Sequence, residues 1–304
     1  MMGGPRVAVL PSDAPPAVFE SVVAGGGLLA NTGEAEALVW CVQDAEALAG
    51  VLDSHHEIRW VQLAWAGVEP YRGLFLDGRT WTCAKGVFGE LVAEHALLVA
   101  LAGLREIPRL ARASTWLEAS TRSLFGAQVT IVGGGGIAGA LLSLLAPFRA
   151  RITVVRRHPQ PMAGAAEVVA PDALLSALAG ADVVFLAPAL TPETAGMIGE
   201  PELRAMGPGA WLVNVGRGAL VLTDALLRAL REGWIAGAAL DVTDPEPLPD
   251  GHPLFTLDNC LITPHVAGTL AAAMEPFAAR VRENVRRYAD GLPLIGLIDP
   301  LLGY

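Results

Sequence analysis

The chain has 304 residues, about twice a typical single domain, and reads as two domains. Apolar residues make up 53% and charged residues 17%, which excludes a disordered chain and a coiled coil. The net charge of −10 argues against a general nucleic-acid footprint, so any anionic ligand must be held by a local basic cluster.

Short apolar runs alternate with helix-length segments along the whole chain, the pattern of parallel sheets covered by helices. Strands are predicted at 7–10, 38–42, 60–64 and 80–83, with a helix at 44–54. The stretch 88–112, almost free of breakers, predicts one long helix between the two domains. A second series follows, with strands at 129–132, 152–155, 182–187, 211–215, 235–241 and 261–263. A charged amphipathic helix is expected over 269–290, with Gly291 as its stop.

No leader is predicted: Met1 to Arg6 lacks an apolar run. Residues 123–148 carry no charge, but four consecutive glycines and Pro147 break them into a strand, a turn and a short helix. A soluble, cytoplasmic protein without membrane partners is therefore expected. Cys41, Cys83 and Cys260 are odd in number and widely spaced, so they read as buried apolar residues in a reducing compartment. Nothing in the sequence has metal-ligand spacing, and no metal is expected.

The apolar strand ending at Val132 runs into Gly133, Gly134, Gly135 and Gly136, then into a helix beginning with Ile137 and Ala138. A dinucleotide turn needs a first glycine for the bend and a second for close approach of the pyrophosphate. It also needs a small third residue for helix–strand packing, and free N–H groups at the helix start. Either Gly133, Gly135 and Ala138 or Gly134, Gly136 and Gly139 can fill those places. The first register is preferred because it makes Ile137 an early core residue. The following strand ends in Arg156 and Arg157, where an NAD site places an acid on the ribose. A cation there suits a 2′-phosphate; the alternative is a solvated basic turn.

Three later strands each end in a polar residue: Arg217, Glu246 (in the loop opened by Asp241) and His265. Ligands of open α/β sheets bind outside the carboxyl ends of the strands. An arginine that clamps a carboxylate, a histidine that handles a proton and a glutamate that supports it form a set suited to hydride transfer to a carbonyl.

With these residues together, the chain resembles the D-isomer-specific 2-hydroxyacid dehydrogenases, which include glyoxylate and hydroxypyruvate reductases. The resemblance rests on Val132 to Ala138, Asp182 to Pro188 with Thr191 to Thr194, Asn214 to Gly218, Asp241 to Pro249, Thr263 to Gly268, and the Glu283-Asn284 tail. It implies two doubly wound parallel-sheet α/β domains with a cleft between them. These are a Rossmann domain over 96–276 and a smaller flavodoxin-like substrate domain made of 1–95 and 277–304. It also implies that Ala66 and Gly67, with Arg217 and His265, meet the substrate. Gly133, Gly135, Gly136, Ile137, Arg156, Arg157, Pro188, Thr191, Val215, Asp241, His265 and Gly268 would line the cofactor, with Asp241 at the nicotinamide amide. His95, inside an apolar helix, reads as structural. Arg156 replaces the family's usual aspartate, so NADP(H) is expected over NAD(H). The implied activity is reduction of a small 2-oxo acid by a homodimer; the alternative is a dinucleotide-sensing binding protein or corepressor on the same fold.

Overall fold

The computed structural model describes residues 3–301. They divide into two compact units, 3–88 with 269–301, and 89–268. The first unit opens with β1 (Arg6–Leu10), α1 (Pro16–Ala24), β2 (Leu28–Leu29), β3 (Ala37–Trp40), α2 (Ala45–Ser54), β4 (Trp60–Leu63) and β5 (Thr80–Thr82). All strand pairs are parallel, in the order β2-β1-β3-β4-β5 of a flavodoxin-like sheet. Every residue of β3 and β4 is buried, as expected of central strands covered on both faces. Asp44 starts α2 by accepting the Ala47 N–H at 2.9 Å.

The second unit begins with α3 (Gly89–Leu104) and α4 (Ile107–Ala111), where a single helix over 88–112 was expected. Glu106 turns the chain with φ +53°, and Pro108 cannot continue a helix because its ring would strike the Leu104 carbonyl. That carbonyl accepts the Arg122 N–H at 2.8 Å instead. The sheet follows: β6 (Gln128–Val132), α5 (Gly136–Leu145), β7 (Arg151–Val155), β8 (Glu167–Val169), α6 (Leu174–Leu178) and β9 (Val183–Leu186). It is completed by α7 (Glu200–Met206), β10 (Trp211–Asn214), α8 (Thr223–Glu232), β11 (Gly237–Leu240) and β12 (Cys260–Ile262). The strands are all parallel, in the order β12-β11-β10-β9-β6-β7-β8, a Rossmann sheet whose direction of winding reverses between β6 and β9.

The expected unit boundaries, 95/96 and 276/277, lie seven and eight residues beyond the observed ones. The first moves because α3 packs on α5, β10 and β11 from its first turn, with Gly89 against the Gly136 backbone. The second moves because α9 (Met274–Ala289) and the turns before it belong with the first sheet. This helix is shorter than the 269–290 expected, and Gly291 ends it with φ +65°.

A buried polar chain joins α9 to the first sheet. Asn284 and Gln62 are both fully buried, and Asn284 Nδ2 donates to Gln62 Oε1 at 2.8 Å. Gln62 Oε1 also accepts from Thr82 Oγ1 at 2.9 Å, and Thr82 Oγ1 accepts from Trp60 Nε1 at 2.8 Å. Asn284 Oδ1 takes the Ile295 N–H at 2.8 Å, so every link has a partner and the tail is sewn to the core. Among the described residues, no helix is long and apolar enough to cross a membrane.

Candidate active site

At the end of β6, Gly133 holds φ +108°, a conformation that side chains resist, and donates its N–H to Val155 O at 2.8 Å. A Cβ there would stand 2.7 Å from the Ala187 carbonyl carbon, just after β9. The bend is thus pinched into the point where the sheet reverses. Beyond it, Gly135 and Gly136 are exposed, no side chain caps α5, and space is open around Gly135. Backbone N–H groups therefore face outward where an anion can approach, which fits a pyrophosphate. Ala138 is buried while Gly139 is exposed, the burial that the register of Gly133, Gly135 and Ala138 calls for. Ile137 is half-buried rather than a core residue, because it sits on the outer side of the first turn.

Arg156 follows β7, its backbone N–H bonded to Val169 O at 3.0 Å. Arg157 is exposed and lies 3.9 Å from the Glu193 carboxylate. The neighbouring loop begins at half-buried Pro188 and is closed by buried Thr191, whose N–H meets Thr194 Oγ1 at 2.8 Å. That hydroxyl also donates to Ala189 O at 2.7 Å.

The carboxyl ends of β10, β11 and β12 carry the other candidates. Asn214, 1% exposed, folds the first loop: its Oδ1 accepts Gly216 N–H at 3.1 Å and its Nδ2 donates to Arg217 O at 2.9 Å. Val215 beside it is buried and donates to Leu186 O. A Cβ on Gly218 would overlap the Thr243 carbonyl, so this loop lies directly on the one that carries Glu246. Half-buried Arg217 turns Nη1 to Gly216 O at 2.7 Å.

Glu246 Oε1 is 2.6 Å from His265 Nδ1, and both side chains are about half exposed. Nδ1 is thereby committed, which leaves Nε2 as the ring nitrogen available for chemistry. His265 has φ +53°, an unusual backbone for a non-glycine residue. Asp241 holds it there: its carbonyl accepts His265 N–H at 2.8 Å. Its carboxylate accepts Val266 N–H and Ala267 N–H, both at 3.0 Å, and the Thr263 hydroxyl at 2.6 Å. Asp241 is therefore built into the loop, a role its assignment to the nicotinamide amide did not foresee. Gly268, half-buried, ends this unit.

Ala66 and Gly67 belong to the other unit, on the loop after β4. Trp65 fixes that loop by stacking on Phe88, with centroids 6.2 Å apart, and by accepting Ala84 N–H at its carbonyl. Ala66 is exposed beside it. The structure thus gathers Arg217, Asp241, Glu246 and His265 on adjacent loops of one sheet. It adds one residue that sequence reasoning set aside: His95, whose Nε2 is 3.0 Å from Thr263 Oγ1.

A sequence profile described as "D-isomer specific 2-hydroxyacid dehydrogenase, NAD binding domain" matches residues 95–267. The chain belongs to the D-isomer specific 2-hydroxyacid dehydrogenase family. It is an NAD(P)-dependent oxidoreductase that moves a hydride between the dinucleotide and a 2-oxo acid. It is 37% identical over 266 residues to an "Uncharacterized protein in proB 3'region" of Corynebacterium melassecola, covering 83% of this chain and 86% of that one. It is 34% identical over 232 residues to a glyoxylate reductase of Pyrococcus furiosus, covering 72% and 67%. Among solved structures, a D-isomer specific 2-hydroxyacid dehydrogenase of Xanthobacter autotrophicus Py2, in complex with NADPH and MES, superposes with a TM-score of 0.84 at 27% identity. The match covers 99% of this chain and 100% of that one.

Proposed function

We propose that this dehydrogenase is an NADPH-dependent reductase of small 2-oxo acids, glyoxylate or hydroxypyruvate, and that it forms the D-2-hydroxy acid. The observation that carries the reading is the 2.6 Å pair of His265 and Glu246 on loops tied to the one bearing Arg217. When bound, the nicotinamide supplies a hydride to C2 of the 2-oxo acid. The guanidinium of Arg217 holds the substrate carboxylate and polarises the carbonyl, through charge-assisted hydrogen bonds. Nε2 of His265 gives its proton to the carbonyl oxygen, which becomes the hydroxyl. Glu246 accepts from Nδ1, which sets the ring's orientation and supports the imidazolium before transfer.

The dinucleotide rests on Gly133, Gly135, Gly136 and Ile137, with Pro188, Thr191, Val215, Asp241 and Gly268 along it. Arg156 and Arg157 receive the 2′-phosphate. The NADPH-bound Xanthobacter structure and the Pyrococcus glyoxylate reductase support this choice of cofactor and substrate by likeness.

The same reading includes a homodimer. The apolar side chains of the expected 88–112 helix are largely spent inside, with Val99 and Leu104 buried and Leu98 exposed. Exposed apolar surface lies further on instead, at Ile107, Trp116, Leu117 and Phe125, and Trp116 is fully exposed. The arm that carries them is held by Arg122 on Asp182 and by Ser120 N–H on Glu106 Oε1, so its presentation is fixed. A second copy of the chain covers this patch.

The test is NADPH oxidation with a panel of 2-oxo acids, followed by chiral analysis of the product. Turnover of glyoxylate and of hydroxypyruvate, the latter to D-glycerate, is expected. Oxidation with none of the panel, or an L-product, overturns the reading.

A further inference from the structure

The geometry points to His95 as a positioning residue that acts on His265 through Thr263 and Asp241. This rests on the reading of His265 as proton donor. His95 lies in the second turn of α3, its side chain largely buried. Its Nε2 is 3.0 Å from Thr263 Oγ1 and 3.5 Å from Asp241 Oδ1. The direction of these bonds follows from proton counting. The Thr263 hydroxyl has one proton, and its 2.6 Å partner, the Asp241 carboxylate, can only accept. Thr263 must therefore accept from His95, which fixes the proton of His95 on Nε2.

The result is a one-way relay: His95 Nε2–H to Thr263 Oγ1–H to Asp241 Oδ1. Asp241 then spends both carboxylate oxygens and its own carbonyl on the N–H groups of Val266, Ala267 and His265. Three successive residues are clamped by one side chain and its backbone, around a histidine at φ +53°. A left-handed non-glycine residue persists only where its surroundings over-determine it. His95 supplies the far end of that determination, anchoring it to a long helix rather than to another loop. Without its donor, the Thr263 hydroxyl is free to rotate away from Asp241, and the loop that aims Nε2 of His265 loses its fixed point.

The experiment compares His95→Phe, which keeps ring volume without a donor, with His95→Gln, which restores an N–H at similar reach. Thr263→Val breaks the same relay one link later. The readouts are kcat, KM for glyoxylate, the NADPH dissociation constant and the thermal midpoint. His95→Phe is expected to lower kcat by up to about 100-fold, the scale of a misplacement near 1 Å. The KM and the NADPH constant stay within about threefold. His95→Gln recovers most of the loss, and the double variant His95→Phe with Thr263→Val is no worse than the poorer single, as members of one relay require. Wild-type kcat in His95→Phe overturns the inference. So does a loss that Gln fails to recover, or one that appears only as lower stability and weaker cofactor binding. If His95→Phe does not fold, Thr263→Val carries the same expectation and the same refutation. His265→Ala separates the two failures: retained turnover there refutes the proton-donor reading, whereas its loss beside an unaffected His95→Phe refutes only the relay.

Discussion

The side chain of Arg156 lies across Gly134: a Cβ built on that glycine would stand 2.7 Å from Nε and 3.0 Å from Cβ of the arginine. Glycine at 134 thus leaves room for a guanidinium stem at the edge of the phosphate-binding turn. In the proposed function, that placement sets the basic strand end where the cofactor's 2′-phosphate would lie.

A guanidinium there makes charge-assisted bonds to a 2′-phosphate, each worth roughly 1.5–3 kcal/mol. That is about one to two decades of affinity. NADPH is expected to exceed NADH at least about tenfold in kcat/KM, with the gap closing as salt rises. Arg156→Asp reverses the preference, through repulsion as well as the lost bond. Gly134→Ala narrows it by pushing the arginine aside. Equal use of both cofactors by the native protein would make Arg156 a solvated turn residue.

Trp116 predicts the assembly. Light scattering at micromolar protein gives twice the chain mass, and Trp116→Glu gives the chain mass, because a carboxylate is costly in an apolar interface. A native monomer, or a dimer indifferent to the charge, contradicts the proposed patch.

Burial pushes the Cys41 and Cys260 thiols up to about 12, and that of Cys83 in the same direction. Only the thiolate reacts, and at pH 8 a thiol titrating near 12 is ionised to about one part in ten thousand. Alkylation of Cys41 and Cys260 in the folded protein is therefore slow at pH 8, quickens as pH rises, and is complete after unfolding. Rapid loss of two thiols from the native protein would show that these sites open to solvent.

The glycine turn and the positions of Arg217, Glu246 and His265 were legible because each follows an apolar strand, and the carboxyl ends of parallel strands share one edge. Elements with weak local signals escaped: β2 is two exposed leucines, β8 is three residues, and α1 begins at Pro16 after another proline. The break after α3 was hidden because Glu106 gives no sign of a left-handed turn; Pro108 alone marks it. The contact that His95 makes was hidden for a different reason. Its partner Thr263 is 168 positions away, so an isolated polar residue in an apolar helix gave no hint of what it meets. The roles of Asp241 and Asn214 as loop clamps were likewise invisible, since both depend on backbone N–H groups that become neighbours only in the folded chain.

In the proposed function, His265 supplies the proton while the dinucleotide supplies the hydride. The most direct measurement is the NADPH oxidation rate with saturating glyoxylate in His265→Ala, alongside NADPH binding to the same variant. NADPH affinity close to wild type is expected, with turnover lower by at least about 100-fold, the contribution of a positioned general acid. Turnover near wild type in that variant would contradict it.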